Sequence, residues 1–217
     1  MDKYLDISLD EKFTKINSFT WLPFIGKEYF TSENKTLILG ESHYVPLDED
    51  PEFYLDKTWT RQFILKEGLQ IKPWNQSEKK NNLIREIEKT LIGRLNNDFW
   101  QNVAYFNLIQ RLLPSINGQD RPTYIDIKNG LELFKNIINL FNPDKIIFCG
   151  IEASKHFKHL LNDENFQIDE YKCPNTKING TYPKSFKLNY NGKIIFCYFI
   201  KHPSMSYTAE KWRQFIF

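Results

Sequence analysis

Apolar residues along the chain gather into short runs, separated by longer stretches in which they recur every three or four positions. Four runs have the length of a buried strand: Thr36–Gly40 (TLILG), Val103–Asn107 (VAYFN), Lys145–Gly150 (KIIFCG) and Lys193–Lys201 (KIIFCYFIK). The second is the least regular, and its pattern alone fits a helical segment as well as a strand. Between the runs the period changes. Leu83, Ile84, Ile87 and Leu91 share one face of a helix over 82–92, opened by Ser77-Glu78. Leu131, Phe134, Ile137, Ile138 and Phe141 repeat that spacing, and Asn142-Pro143 ends their helix just before the third run. A further helix is expected over 152–161, directly after Gly150. Strands alternating with helices predict an α/β fold: a three-layer α/β/α arrangement around a central, mainly parallel four-stranded sheet. No repeat or low-complexity linker divides the chain, so residues 1–217 are read as a single domain. In such a sheet ligands bind outside the carboxyl ends of the strands, and the residues just after each run carry the chemistry.

Composition narrows the classes. With 41% hydrophobic and 26% charged residues the chain reads as an ordinary globular protein. Its 18 Phe, 11 Tyr and 5 Trp are mostly core material, but they also supply flat faces on which bases stack. A net charge of +2 excludes a long basic arm; binding of DNA would need the Lys and Arg gathered on one face. Cys149, Cys173 and Cys197 form no CxxC pair, so no disulfide framework, zinc site or iron–sulfur site is expected. Cys149 and Cys197 sit in apolar runs and read as reduced core thiols. The amino-terminal residues lack an apolar run of signal-peptide length, and no later stretch has membrane-spanning length. A cytoplasmic protein without a membrane partner is expected.

The four strand ends are polar. Gly40-Glu41-Ser42-His43-Tyr44 places a carboxylate, a hydroxyl, an imidazole and a phenol at one exit, able to hold water and to wall a pocket; it also reads as a plain turn. Asn107 offers a donor and an acceptor suited to a pyrimidine edge, although Asn is common at strand ends for its turn geometry. Gly150-Ile-Glu-Ala153 enters a helix whose free N–H groups attract phosphate, an effect that Ser154 and Lys155 strengthen and Glu152 opposes. Lys201-His202-Pro203-Ser204-Met205-Ser206-Tyr207 follows the most apolar run, and an imidazole there can donate to a leaving-group oxygen; a simple loop is the bland alternative. His156 and His159 lie within a helix and read as surface or packing residues.

Taken in order, these ends resemble the motifs of the uracil-DNA glycosylase superfamily. Its first strand is followed by GQDPY or GEAPG, its last by HPSPL or HPSYL, and Gly40–Tyr44 and His202-Pro203-Ser204 occupy the corresponding places. Asn107 resembles the asparagine that ends the family's second strand, and Gly150-Ile-Glu-Ala153 its GxxA turn; the likeness spans about residues 21 to 213. It implies a monomeric glycosylase that flips a nucleotide out of DNA and hydrolyses its N-glycosidic bond without a cofactor. Glu41 would hold the attacking water and favour the positive charge developing on the sugar. His202 would stabilise the departing base. Asn107 would read the base edge, with Ser42 and Tyr44 beside it and Phe53, Tyr54 or Trp59 stacked on the ring. Ser204, Ser154 and Lys155 would grip phosphates, and Met205 or Tyr207 would fill the gap in the helix.

The pattern also departs from the family. Ser42 stands where the GQDPY branch has its aspartate, His43 replaces the usual proline, and Met205-Ser206 replaces the common wedge leucine. Tyr44 matches the residue that excludes thymine's methyl group, whereas the aromatic and acidic insertion over 45–74 leaves room for a different pocket and a bulkier modified pyrimidine. Two rivals stand beside the active enzyme: a module of the same fold that binds DNA or a nucleotide without cutting, and an unrelated α/β hydrolase. No GxSxG elbow, P-loop or GxGxxG fingerprint supports the latter.

Overall fold

A computed structural model describes residues 3–45, 48–71, 79–114, 121–160 and 164–217. Among the described residues nine strands form: β1 (Phe24–Ile25), β2 (Thr36–Gly40), β3 (Tyr44–Val45), β4 (Val103–Asn107), β5 (Leu113–Pro114), β6 (Lys145–Cys149), β7 (Phe166–Lys172), β8 (Lys184–Tyr190) and β9 (Lys193–Ile200). The helices are α1 (Asp10–Thr14), α2 (Trp59–Phe63), α3 (Asn82–Ile92), α4 (Tyr124–Phe141), α5 (Glu152–Leu160) and α6 (Ala209–Ile216). A π turn, Ile64–Gly68, prolongs α2.

The main sheet has seven strands in the order β1-β4-β2-β6-β9-β8-β7, which corrects the four expected. The expected four are its centre: β4, β2, β6 and β9 run parallel, with Gly40 level with Asn107 and Cys149 level with Ile200. Antiparallel strands flank them. In β8, Phe186 and Leu188 turn inward between polar neighbours, so the segment carries too few apolar residues to stand out as a run. The two-residue turn Asn191-Gly192 joins β8 to β9, both residues at positive φ, as a tight hairpin demands.

Alternate strand residues feed two cores. Leu37, Leu39, Phe106, Ile146, Phe148, Cys197 and Phe199 pack with α4 and α5 on one face. Ile38, Val103, Tyr105, Ile147, Cys149 and Ile200 pack with the α2 extension, α3 and α6 on the other. This period of two, with helices over both faces, is what an α/β arrangement requires.

Helix ends follow from local chemistry. Asn81 caps α3 by accepting the Leu83 N–H, and Gly93 closes it in the left-handed region. Ser77 and Glu78, expected to open that helix, and Leu161, expected to end the third, lie outside the described residues. Thr123 and Asp126 form a capping box on α4, which ends at Asn142 before Pro143. Buried charges are paired: Arg61 binds Asp10 at 2.6 and 2.8 Å, and Glu88 accepts from Trp100 Nε1 (2.7 Å), the Asn96 N–H (3.0 Å) and Lys80. Among the described residues no helix is long and apolar enough to cross a membrane.

Candidate functional site

The site begins with a close approach of two strand ends. A Cβ at position 40 would lie 2.1 Å from Asn107 Oδ1 and 2.2 Å from the Tyr105 hydroxyl, so only glycine lets β2 end beside this pair. Asn107 is 1% exposed; its Oδ1 accepts from Tyr105 Oη at 3.0 Å, while its Nδ2 meets no acceptor among the described residues. A buried amide donor left without a partner costs about 1–3 kcal/mol, and Asn107 spends it facing a cavity of about 580 Å³.

That cavity gathers most of the residues singled out by sequence. Ser42 and His43 line it from the loop after β2, Tyr44 from the start of β3, and His202 and Ser204 from the loop after β9. Phe53 and Tyr54, on a 3-10 turn, and Trp59, opening α2, form its aromatic wall, with ring centres 4.9 to 5.7 Å apart.

His202 Nδ1 lies 2.7 Å from Ser204 Oγ and accepts the Ser204 backbone N–H at 3.4 Å. A backbone N–H can only donate, so these partners assign the ring proton to Nε2. Burial, helped by the Arg121 charge, pushes the imidazole pKa down to about 4. His202 is therefore a neutral donor at pH 7. His43 plays a different part. It is buried, with Nε2 2.8 Å from Thr60 Oγ1 and its ring edge-on to Trp21, and burial holds its pKa near 3. It acts as a packing residue. The His43 carbonyl accepts the Leu113 N–H, and the Ser42 hydroxyl donates to the Arg111 carbonyl, tying this loop to the one after β4.

Glu41 stands apart. Its carboxylate accepts from Tyr44 Oη at 2.7 Å and borders a second cavity of about 20 Å³ with Ile109, Pro122 and Gly150, room for roughly one water molecule. The Tyr44 phenol, its pKa raised by burial and by Glu41, links the two spaces.

Four residues expected to contact DNA lie outside this cavity. Ser154 is buried, donating to the Ile151 carbonyl at 2.5 Å and accepting from Lys184 at 3.0 Å, so its hydroxyl is committed within the fold. Lys155 is exposed and paired with Glu152. Tyr207 bonds Thr90 Oγ1 at 2.9 Å and stacks on Trp212, which holds its ring in the fold and away from a wedge role. Met205 is 51% exposed.

Sequence reasoning missed Tyr105, which orients Asn107, and Arg121, which lies beside Tyr44 and His202. It also missed Gln62, Phe63, Lys66 and Glu67, which line the cavity from α2 and its extension. The spacing of Trp59, Gln62, Phe63, Lys66 and Glu67 is a helical stripe that could have been found. Among the described residues no group of three or more His, Cys, Asp or Glu could hold a metal ion. Neither the protein-family models nor the curated proteins give a match to this chain.

Proposed function

We propose that this chain is a DNA glycosylase of the uracil-DNA glycosylase superfamily, hydrolysing the N-glycosidic bond of uracil or a related modified pyrimidine. The observation that carries the reading is the Asn107 amide donor, unpartnered among the described residues, in an aromatic-walled cavity that His202 also lines. Because Tyr105 fixes Asn107 Oδ1 as an acceptor, Nδ2 is left to meet a ring carbonyl, the group a 4-keto pyrimidine presents. Such a ring reaches the cavity only when its nucleotide leaves the stack, which costs a few kcal/mol. One of Phe53, Tyr54 and Trp59 then stacks on it.

In the reaction a water oxygen bonds to the sugar C1′ as the bond from C1′ to the base nitrogen breaks. The electron pair leaves with the base, whose anion accepts from the neutral His202 Nε2–H. Glu41, at its water-sized cavity, aligns the water, takes up its proton and offsets positive charge on the sugar. The products are a free base and an abasic site, with no cofactor in the step. Ser204 and Lys155 remain for phosphate contacts and Met205 for the gap in the duplex; a monomer suffices.

The position of Glu41, tied to Tyr44 and outside the main cavity, favours a second reading: a module that binds a flipped nucleotide without cutting. An abasic-site cleavage assay separates the two, run on oligonucleotides with uracil in single strands, opposite adenine and opposite guanine. The active reading expects cleavage by the wild type and at least about a hundredfold loss in Glu41→Gln and His202→Ala, with undamaged-DNA affinity held within about twofold. Binding without any abasic product supports the second reading. Equal loss of binding and cleavage in His202→Ala would make that histidine structural.

A further inference from the structure

The cavity is larger than the base it is proposed to take. A pyrimidine with two carbonyls has about eight non-hydrogen atoms, which need at most about 240 Å³ even at the roughly 30 Å³ that a whole water molecule takes in the liquid. The cavity holds about 580 Å³. Part of the difference goes to the sugar, which stays bonded to the strand. The rest lies along α2. Trp59, Gln62, Phe63, Lys66 and Glu67 all line the cavity, and the eight helical steps from Trp59 to Glu67 extend it by roughly 12 Å. The beginning of this stripe abuts the loop after β2, where Thr60 bonds His43 and the Phe63 ring centre lies 6.3 Å from that of His43. Its far end meets the start of α3, where Glu67 accepts the Asn81 N–H at 3.1 Å and Asn81 also lines the cavity.

The chemistry of that end is specific. Lys66 Nζ lies 3.6 Å from Glu67 Oε1, so the two charges cancel. Gln62 commits its Nε2 to Asp56 and Thr58, and Asn81 commits its Oδ1 to the Leu83 N–H. Among the described residues this leaves Gln62 Oε1 and Asn81 Nδ2 uncommitted, an acceptor and a donor on two residues that line the cavity with the ammonium and the carboxylate. Donors and acceptors that alternate without net charge match hydroxyl groups, each of which is both.

We propose that the site takes a pyrimidine carrying a bulky, neutral, hydroxyl-bearing substituent, held at this far end by Gln62, Lys66, Glu67 and Asn81. The proposal rests on the glycosylase reading. The test compares single-turnover excision of uracil, 5-hydroxymethyluracil and glucosylated 5-hydroxymethyluracil from one oligonucleotide by the wild type, Lys66→Ala and Gln62→Ala. The expected order of kcat/KM rises with the substituent, by about tenfold from uracil to the glucosylated base, and each variant removes about tenfold from the glucosylated base alone, the worth of one good hydrogen bond. Cleavage of uracil with rejection of the glucosylated base overturns this inference and leaves the glycosylase reading intact. So does an equal loss on all three bases in the variants, which would assign the far end to general packing or to a neighbouring nucleotide. Release of none of the three by folded wild-type protein removes both.

Discussion

At position 40 a methyl group would fall within 2.2 Å of both the Asn107 amide oxygen and the Tyr105 hydroxyl. Gly40→Ala must therefore displace the pair that orients the free Asn107 donor. The expected outcome is a stability loss of about 1–3 kcal/mol in urea denaturation and a larger, at least hundredfold, loss of excision. Unchanged excision would mean that Asn107 does not read the base. His43 makes a separate prediction about acid. Its folded pKa, near 3, lies below the unfolded value of about 6.5, so the unfolded chain takes up the proton first. Its contribution to stability is whole above pH 6.5 and is lost as pH falls toward 3, at about 1.4 kcal/mol per pH unit; His202, near 4, adds a similar slope. Between pH 6.5 and 4.5, His43→Gln, which keeps a polar partner for Thr60, is expected to halve the slope of unfolding free energy against pH. An unchanged slope would contradict the burial assigned to His43. The polar residues at the strand ends were legible because turns and ligands both demand them there. Which were functional was not. Ser154 and Tyr207 have suitable chemistry, but a lysine 30 residues away and a threonine 117 residues away claim their hydroxyls.

The elements with strong periodicity could be read directly. The four central strands end within a residue of their apolar runs, and α3 and α4 follow their stripes to Gly93 and Asn142. β7 and β8 escaped because one face is polar and the other carries few apolar residues, although Asn191-Gly192 announced their hairpin to β9. α2 escaped because its short stripe lies inside a segment noticed for its aromatic and acidic content. It is held from outside by the buried Arg61, which bonds Asp10 of α1 and the Pro23 carbonyl. Removing one member of a buried pair strands the other charge, so Asp10→Ala is expected to cost about 3 kcal/mol in urea denaturation. A cost below about 1 kcal/mol would show that α1 and α2 are fastened by packing alone.

Across the whole molecule, the parallel centre of the sheet brings distant residues level. Asn107 and His202 are 95 residues apart in sequence, with α4, β6, α5, β7, β8 and β9 between them, yet β4, β2, β6 and β9 end on one side, and both residues face one cavity. The two cores, one on each face, make that alignment stiff. The antiparallel strands extend the sheet without crossing the ends that carry the site. This explains why the candidate site was more legible than its pocket. Strand exits follow from the order of the apolar runs, whereas the wall along α2 depends on how an irregular segment folds back over them.

The central claim is that this cavity releases a base, and the most direct test is to identify the released product. Wild-type protein would be incubated with uracil-containing DNA and with glucosylated 5-hydroxymethyluracil DNA, and the small-molecule fraction analysed by mass spectrometry beside His202→Ala. The account predicts free base from at least one substrate, in amounts equal to the abasic sites formed, and at least a hundredfold less from His202→Ala. Intact nucleotides in that fraction, or no release from either DNA by folded wild-type protein, would contradict it.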